Sequence, residues 1–273
     1  MNNDFSVAMG VYHGDNPEYI RIAVKSIYDN QTVKPDEIVI VVDGPIPESI
    51  ESVISELQEG RPVRIVRFKE NKGHAAARQA GLDAASNNLV AIMDADDISL
   101  PDRFERQLKA LREHPQVAVV GGQIKEFIDD PNNVVGDRIV PISDSDIKTY
   151  LKSRCPMNLV TVMYRRDAVL DAGGFMDWYC EEDYYLWIRL AEKGHRFFNI
   201  AENMVNVRVG KEMYQRRGGW KYFKSEARLQ SYMLKHGIIS APRYVYNTLG
   251  RFVIQVAMPN KLRGFVFQKL FRK

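Results

Sequence analysis

The stretch Leu89-Val90-Ala91-Ile92-Met93-Asp94-Ala95-Asp96-Asp97 places three carboxylates directly after an apolar run of strand length. Ligands of open α/β sheets bind beyond the carboxyl ends of the strands, which is where these acids would lie. Asp94 and Asp96, one residue apart, suit a hard divalent cation, which would in turn bind phosphate oxygens. The simpler alternative is that Asp96, Asp97 and Ser99 only begin the next helix, where acids are favoured. The preceding strand favours the ligand site.

Short strands and helical segments alternate on both sides of this stretch. Strands are predicted at 5–12, 37–42, 63–68 and 89–93, and amphipathic helical spacing follows the first two of them, with an Ala-rich helix after the third. Such alternation is typical of an α/β fold with a mostly parallel, twisted sheet and helices on both faces.

The pattern changes after Pro115. Segments 117–120 and 123–128 flank Gly121-Gly122 and predict a small antiparallel element in the second half. Ser143 is a plausible cap for a helix that runs to about residue 152. Further strands are predicted at 159–164, 197–200 and 204–209, and a helix is predicted from Glu181-Glu182-Asp183 to a stop at Gly194.

The C-terminal part of the chain is strongly basic, although the net charge of the whole sequence is only +3. No Asp or Glu follows Glu226, whereas nine Lys or Arg residues and several aromatic residues do. Residues 261–273 carry apolar side chains at helical spacing among these cations. This predicts a basic helical tail that binds an anionic membrane surface. Nucleic acid is not the expected partner, because no nucleic-acid-binding motif accompanies the charge.

The order of the predicted elements indicates one continuous domain at 1–225, with halves at 1–115 and 116–225, followed by a basic extension at 226–273. Cys155 and Cys180 are too few for a disulfide framework and lack the spacing of metal ligands. With no signal peptide or membrane span predicted, we expect a cytoplasmic protein attached peripherally to the inner face of the plasma membrane.

Polar residues follow the four predicted parallel strands. They are Tyr12-His13, Asp43, Asn71-Lys72-Gly73 and Asp94-Ala95-Asp96. A carboxylate just past a strand is well placed to bind a ribose or a base N–H. Neither a G-x-G-x-x-G loop nor a Walker loop is present, so a cation on Asp94 and Asp96 would have to hold the phosphates. Together these features predict a site for a nucleoside diphosphate and a metal.

The chain resembles the family 2 glycosyltransferases over about residues 5–200. The motifs that carry the resemblance occur in family order: Val7-Ala8-Met9-Gly10-Val11-Tyr12, Ser26-Ile27, Pro35 to Gly44, Asn71-Lys72-Gly73, Arg78-Gln79-Ala80-Gly81, Asp94-Ala95-Asp96-Asp97, Pro101-Asp102-Arg103-Phe104 and Glu182-Asp183-Tyr184-Tyr185-Leu186-Trp187. Each motif is weak alone, but the ordered set is specific. Gly10 and His13 depart from the family, where proline and asparagine are common, which affects recognition of the base.

The resemblance implies a GT-A type fold and a role for each matching residue. Asp43 would bind the uracil or ribose of a UDP-sugar, in a pocket lined by Val11 and Tyr12. Asp94 would contact the ribose, and Asp96 would ligate Mg²⁺ or Mn²⁺ against the diphosphate. Further donor-binding candidates are Asn71, Gly73, Arg78 and Ala95.

By the resemblance, residues 1–225 would be the catalytic domain, with 1–115 as its nucleotide-binding half and 116–225 as its acceptor-binding half. By the resemblance, Asp183 would be the catalytic base, and Glu182 would lie on the acceptor side. Trp178 is a candidate for stacking on an acceptor sugar. Arg216 and Arg217, beside Gly218-Gly219, are candidates for binding a diphosphate.

The predicted reaction is an inverting transfer of a hexose or N-acetylhexosamine from a UDP-sugar. A single base is sufficient for direct displacement at the anomeric carbon. The resemblance is to bacterial enzymes that extend exopolysaccharide or O-antigen repeat units, and it implies an acceptor glycan on undecaprenyl diphosphate. The alternatives are a sugar nucleotidyltransferase, which would need a Gly-rich basic loop after the first strand, and a non-catalytic nucleotide- or carbohydrate-binding module.

Overall fold

The computed structural model describes residues 4–210 and 218–258. Its strands are β1 (Phe5–Val11), β2 (Glu37–Val42), β3 (Val63–Arg67), β4 (Leu89–Met93), β5 (Ile98–Ser99), β6 (Val117–Phe127), β7 (Val134–Arg138), β8 (Met163–Arg165) and β9 (Arg196–Arg208). Its helices are α1 (Pro17–Ile27), α2 (Glu48–Gln58), α3 (His74–Ala84), α4 (Arg103–Glu113), α5 (Asp144–Leu151), α6 (Arg166–Asp171), α7 (Glu182–Glu192), α8 (Trp220–Lys235) and α9 (Ala241–Phe252).

The strands form one sheet in the order β3-β2-β1-β4-β8-β6-β9-β5, with β7 paired to β6. The first four strands are mutually parallel, as their apolar sequences predict. β8 is antiparallel to β4 and β6, whereas β9 returns parallel to β6. The predicted α/β class with a mostly parallel first half is confirmed.

Helices cover both faces of the sheet, as expected. Alternate residues of β1 enter different apolar clusters, since successive strand side chains point to opposite faces. Val7 and Met9 pack with α1, α2 and α4, whereas Ala8 belongs to a cluster that includes residues of α3 and α7. Both faces of the parallel half of the sheet are therefore buried. Polar side chains accordingly lie at the ends of its strands.

The Gly121-Gly122 pair does not form the predicted turn. Both glycines lie inside the single strand β6, whose antiparallel partners are β7 and β8. A Cβ on Gly121 would lie 2.5 Å from Oδ1 of Asn199, and one on Gly122 would lie 2.3 Å from Cγ of Met204. The glycines are required by close packing, and a sequence pattern cannot distinguish that from a turn.

Two other predicted elements of the second half differ in extent. The strands predicted at 197–200 and 204–209 are one strand, β9, with register shifts opposite β6. The strand predicted at 159–164 is a 3₁₀ turn followed by β8. The cap of α5 is confirmed, because Oγ of Ser143 accepts the N–H of Asp146 at 3.2 Å. Gly194 ends α7 with φ at +81°.

The chain continues past the sheet into α8 and α9. Helix α8 begins at Trp220, so the predicted boundary between 225 and 226 falls inside it. Helices of a length and apolarity that would span a bilayer are absent from residues 4–210 and 218–258. The amphipathic segment predicted at 261–273 lies outside the described residues.

Candidate active site

A cleft of about 480 Å³ lies at the carboxyl ends of β1, β2 and β4. All nine donor-binding candidates line it: Val11, Tyr12, Asp43, Asn71, Gly73, Arg78, Asp94, Ala95 and Asp96. They come together because parallel strands end at the same edge of the sheet. We refer to this space as the donor cleft.

Asp43 is held by the loop that follows β3. Its Oδ1 accepts the N–H of Lys72 at 2.6 Å and its Oδ2 accepts the N–H of Gly73 at 2.9 Å. The amide of Asn71 donates to the Asp43 carbonyl at 3.2 Å. The carboxylate is 5% exposed and retains lone pairs for a further donor, since an ionised carboxylate has about four acceptor positions.

The turn after Asp43 brings this loop close to the end of β2. Gly44 has φ at +89°, and a Cβ there would lie 2.7 Å from the backbone N of Asn71. Any other residue would strain the turn and push the loop away. Gly44 therefore allows the backbone of Asn71 to lie close to the end of β2.

Three carboxylates, Asp15, Asp94 and Asp96, line one part of the cleft. The pKa of Asp15 is raised to about 7 overall. Burial is the main cause and the charges of Asp96 and Asp94 add to it, whereas the N–H of Tyr12, which donates to Oδ2 of Asp15 at 2.9 Å, lowers the pKa. Mutual repulsion among these acids makes the place favourable for a cation.

A divalent metal fits this donor set. Among the described residues, no group of three or more His, Cys, Asp or Glu side chains forms a complete metal site. Mg²⁺ in nucleotide sites is usually bound by one or two carboxylates together with substrate phosphates and water. Asp94 and Asp96 supply that number of oxygen ligands, and their position at the tip of β4 leaves room for a diphosphate.

Buried polar contacts stabilise the C-terminal end of β4 and the residues that follow it. Arg103 is fully buried and donates from Nη2 to the carbonyl of Ile92 at 2.8 Å. Burial lowers its pKa to about 9, against the charges of Asp97 and Asp94. Asp97 is also buried, and its Oδ1 accepts the N–H of Arg208 at 2.8 Å. Asp97 therefore connects β4 to the end of β9 and does not line the cleft.

Arg78 connects the donor cleft to the N-terminus of α7. Its Nη2 lies 3.7 Å from Oδ1 of Asp94, and its Nη1 forms an ion pair with Glu182. Burial lowers the pKa of Arg78, but the carboxylates of Asp94, Glu182 and Asp183 raise it above its ordinary value. One guanidinium thus lies within electrostatic reach of the metal-binding candidates and the predicted base.

Asp183 lines a second cavity, of about 770 Å³. Its Oδ1 accepts the N–H of Tyr184 at 2.7 Å, and the Cys155 thiol donates to its Oδ2 at 3.7 Å. Burial raises the pKa of Cys155 well above its ordinary value, so the thiol stays protonated and acts as a donor. Arg78 lines the donor cleft and Asp183 lines the second cavity, so the Arg78–Glu182 ion pair connects the donor cleft to the residue that precedes Asp183.

A sequence model of glycosyl transferase family 2 matches residues 6–174. The chain belongs to glycosyltransferase family 2. An uncharacterised glycosyltransferase of Haemophilus influenzae is 36% identical over 98% of this chain and 99% of its own length. The amylovoran biosynthesis glycosyltransferase AmsE of Erwinia amylovora is 35% identical over 97% and 98%. An Escherichia coli UDP-Gal:alpha-D-GlcNAc-diphosphoundecaprenol beta-1,3-galactosyltransferase is 32% identical over 98% and 97%.

Solved glycosyltransferase structures share the fold. The 1–349 form of S. aureus TarS in complex with UDP-GlcNAc superposes with a TM-score of 0.67 and 16% identity, covering 92% of this chain and 72% of that one. A mannosyltransferase of Pyrobaculum calidifontis in complex with GDP-Man and Mn²⁺ gives a TM-score of 0.64 at 17% identity, covering 95% and 71%. At these identities the likeness concerns the fold alone.

The two acceptor candidates of this family 2 glycosyltransferase, Trp178 and Glu182, line neither the donor cleft nor the second cavity. Trp178 is 6% exposed and packs on Tyr185 in the apolar core, and its Nε1 donates to the carbonyl of Ser225 at 3.2 Å. Stacking on a sugar would require this packing to open, so the structure does not support that role. Arg216 and Arg217 lie outside the described residues.

Two further residues line the donor cleft but were not predicted from the sequence. Asp15 follows β1, so it carried the same signal as the other strand-end acids, and His74 at the start of α3 also lines the donor cleft. The helices α8 and α9 supply walls of the second cavity. Their contribution had no signal in the sequence, since it arises only from how they pack on α7.

Proposed function

We propose that this glycosyltransferase moves a hexose or N-acetylhexosamine from a UDP-sugar to a lipid-diphosphate-linked acceptor glycan in bacterial surface polysaccharide biosynthesis. One observation carries the proposal: Asp43, Asp94 and Asp96 line one cleft, and Arg78 of that cleft approaches Asp94 and pairs with Glu182, the neighbour of Asp183 in the chain. The E. coli relative, named for UDP-Gal and a diphosphoundecaprenol acceptor, supports this substrate class.

The proposed transfer is a direct displacement that inverts the anomeric carbon. The bond between the sugar and the diphosphate breaks, the bond between the acceptor oxygen and the anomeric carbon forms, and UDP leaves with the bonding electrons. The carboxylate of Asp183 takes the proton of the acceptor hydroxyl as the new bond forms. A hydroxyl is a poor nucleophile without such a base, and no second carboxylate is needed for a covalent intermediate.

Mg²⁺ or Mn²⁺ is the proposed cofactor, held by Asp94 and Asp96. When bound, the cation supplies neutralisation of the leaving diphosphate. Arg78 forms an ion pair with Glu182 and lies 3.7 Å from Asp94. These contacts fix the N-terminus of α7, with Asp183, relative to the end of β4. Asp43 and the loop 71–73 form the base and ribose end of the donor cleft.

The cellular setting is also a proposal. We propose that the enzyme acts on the cytoplasmic face of the plasma membrane and that the basic extension from residue 226 onward binds anionic lipid. The excess of Lys and Arg after Glu226 supports this. Removal of residues 243–273 should reduce co-sedimentation with anionic liposomes, and equal sedimentation at all salt concentrations would contradict it.

A panel of UDP- and GDP-sugars tested with Mn²⁺ and EDTA, read by released nucleotide, tests the activity. We expect metal-dependent release from a UDP-sugar, and NMR of the transferred product should show an inverted anomeric configuration. Release of pyrophosphate from a sugar phosphate and UTP would instead indicate a nucleotidyltransferase. Absence of turnover with retained nucleotide binding would indicate a binding module.

Two substitutions test the assigned residues. Asp183→Asn should abolish transfer while UDP binds as in the wild type, because Asp183 lines the second cavity and not the donor cleft. Asp96→Ala should lose the dependence of UDP affinity on Mn²⁺. Asp171→Asn, an exposed carboxylate on α6 paired with His195 and Lys193, serves as the matched control and should change neither. Unchanged turnover in Asp183→Asn would reject the assignment of the base.

A further inference from the structure

Asp183 is flanked by two short segments of chain, each of which is held by one of the last two helices. The first segment, residues 178–181, directly precedes α7. The second, residues 152–157, follows α5 and reaches Asp183 through Cys155, whose thiol lies 3.7 Å from Oδ2 of Asp183. Helices α8 and α9 lie beyond residues 6–174, which the family model matches. Their contacts with the two segments are therefore not part of the matched family pattern.

Helix α8 holds the segment that precedes α7. Nε1 of Trp178 donates to the carbonyl of Ser225 at 3.2 Å, and Oγ of Ser225 donates to the carbonyl of Tyr179 at 2.6 Å. The hydroxyl of Tyr222 donates to Oε1 of Glu181 at 2.8 Å. Trp178, Ser225 and Glu181 are buried, so the loss of any of these hydrogen bonds would leave a buried polar group unpaired. Together they fix the chain that leads into α7.

Helix α9 holds the loop at 152–157. Nδ2 of Asn247 donates to the carbonyl of Lys152 at 2.9 Å, and Nη2 of Arg251 donates to the carbonyl of Ser153 at 2.7 Å. Two consecutive carbonyls of the loop thus accept hydrogen bonds from side chains one turn apart on the same helix. This loop has no helix or strand of its own, so these two hydrogen bonds fix its path against α9.

Arg251 connects this loop to α8 as well. Its Nε lies 3.1 Å from Oε2 of Glu226, and both side chains are only 12% exposed. Burial lowers the pKa of Arg251, but Glu226 and the neighbouring Tyr184 and Glu181 raise it above its ordinary value, so the guanidinium stays charged. A planar guanidinium can donate in two directions at once, whereas the ammonium of a lysine is a compact point charge. Arg251 thus binds Glu226 and the loop carbonyl together.

The same loop brings Cys155 to Asp183. Nη2 of Arg138 donates to the carbonyl of Cys155 at 2.9 Å, so the loop is also fixed from the end of β7. Burial raises the pKa of Cys155 and the charge of Asp183 raises it further, so the thiol is protonated and donates to Oδ2. Oδ1 of Asp183 accepts the N–H of Tyr184 at 2.7 Å. Each carboxylate oxygen therefore has a donor, and the two contacts restrict rotation of the carboxylate.

We propose that Arg251 is a positioning residue for the transfer, because it holds the loop at 152–157 so that the Cys155 thiol orients Asp183. This inference rests on the proposed role of Asp183 as the base and adds the residues that orient it. Arg251 acts through the loop and not by touching the reacting groups. A base must lie within hydrogen-bond reach of the hydroxyl whose proton it takes, and a misplacement of about 1 Å can lower the rate about a hundredfold.

The first test is steady-state kinetics on the full chain, with the Kd for UDP measured on the same preparations. Arg251→Lys keeps a charge beside Glu226 but loses the forked contact, and we expect kcat to fall about tenfold or more while the KM for the donor and the Kd for UDP stay within about twofold. Arg112→Lys, at an exposed position of α4, is the matched control and should change none of these. An unchanged kcat in Arg251→Lys would overturn the proposal. A parallel rise in the Kd for UDP would also overturn it, because the substitution would then act on the fold as a whole.

The second test separates orientation of the base from the shape of the loop. Cys155→Ala removes the donor to Asp183 and should lower kcat about tenfold, with the KM for the donor unchanged. Cys155→Ser keeps a hydroxyl donor at the same position and should retain most of the kcat that Cys155→Ala loses. Equal losses in the two variants, or no loss in either, would overturn the proposal and leave the proposed function intact.

The third test measures the contact without turnover. With Cys180→Ser, Cys155 is the only thiol in the chain, and mass spectrometry can follow its alkylation by iodoacetamide. Asp183→Asn removes a negative charge that disfavours the thiolate, so alkylation at the same pH should become about tenfold faster. Arg251→Lys should also accelerate it by loosening the loop, whereas Asp171→Asn, the exposed control, should not. An unchanged rate in Asp183→Asn or Arg251→Lys would overturn the proposal. If both variants accelerate alkylation but the wild type turns over no UDP-sugar, the proposed function fails while the link from Arg251 to Asp183 stands.

Discussion

Replacement of Asp43 by asparagine tests whether this carboxylate binds the donor nucleotide or only supports the loop beside it. Its two oxygens accept the N–H groups of Lys72 and Gly73 at 2.6 and 2.9 Å, and the side chain is buried. An asparagine keeps one oxygen and turns an NH₂ group toward the second N–H. The substitution therefore removes one hydrogen bond to a charged group and leaves a backbone donor unpaired.

The expected cost follows from that single hydrogen bond. A hydrogen bond to a charged group contributes about 1.5–3 kcal/mol to the free energy of unfolding. For a chain of this size, 1 kcal/mol lowers the Tm by roughly 2–4 °C, which gives a decrease of about 3–12 °C. If Asp43 also accepts a hydrogen bond from the nucleotide, the Kd for UDP rises by about tenfold or more. Calorimetry measures both quantities on the same preparation.

Asp36→Asn is the matched control. Oδ2 of Asp36 accepts the N–H of Phe5 at 3.1 Å, at the opposite end of β1 from the donor cleft. This variant should lose some stability and keep its UDP affinity. A variant Asp43→Asn that melts earlier but binds UDP as the wild type does would refute the donor contact. One that changes in neither respect would refute the loop geometry.

Three further substitutions address the scaffold. Gly122→Ala should lower the free energy of unfolding in urea by about 1–3 kcal/mol, because its Cβ would lie 2.3 Å from Cγ of Met204. A Cβ on Gly60 has no described residue within 4 Å, so the exposed Gly60→Ala, with φ at +72°, should cost less than Gly122→Ala. Arg103→Met should cost about 1–3 kcal/mol in the same assay, since it leaves the buried carbonyl of Ile92 without its donor, and wild-type unfolding would contradict this. Burial raises the pKa of Glu37, but hydrogen bonds from the backbone of Ser86 and from the hydroxyls of Ser6 and Ser86 lower it below 4.5 overall. Its stabilisation is therefore present above that pH and lost below it, so the wild type should exceed Glu37→Gln in stability at pH 7 and converge with it as the pH falls; a constant difference would contradict the shift.

The parallel half of the fold could be predicted because each of its strands is recognisable from a short stretch of sequence. Each strand there is a short apolar run, and each ends in a polar residue that has no place inside the sheet. Once the strands are parallel, Asp43, Asn71 and Asp94 must lie along one edge, and no long-range contact had to be guessed. The nine donor candidates selected from the sequence therefore all line one cleft in the structure.

The second half depends on contacts that a sequence does not display. Gly121 and Gly122 suggested a turn, yet their reason is the approach of Asn199 and Met204 from a strand almost eighty residues away. The burial of Trp178 likewise depends on α8, which supplies the Ser225 carbonyl for its indole. Aromatic and glycine residues carry several meanings, and only the packing of distant elements selects one.

The choice of a base among Glu181, Glu182 and Asp183 illustrates what the packing adds. Burial raises the pKa of Glu181, which lines the second cavity and accepts a hydrogen bond from the Tyr222 hydroxyl at 2.8 Å. Glu182 is engaged by Arg78, which ties it to the donor side. Asp183 lines the second cavity and forms no ion pair with an arginine among the described residues. Three consecutive acids thus have three different surroundings, and the surroundings favour Asp183 as the group that meets an incoming hydroxyl.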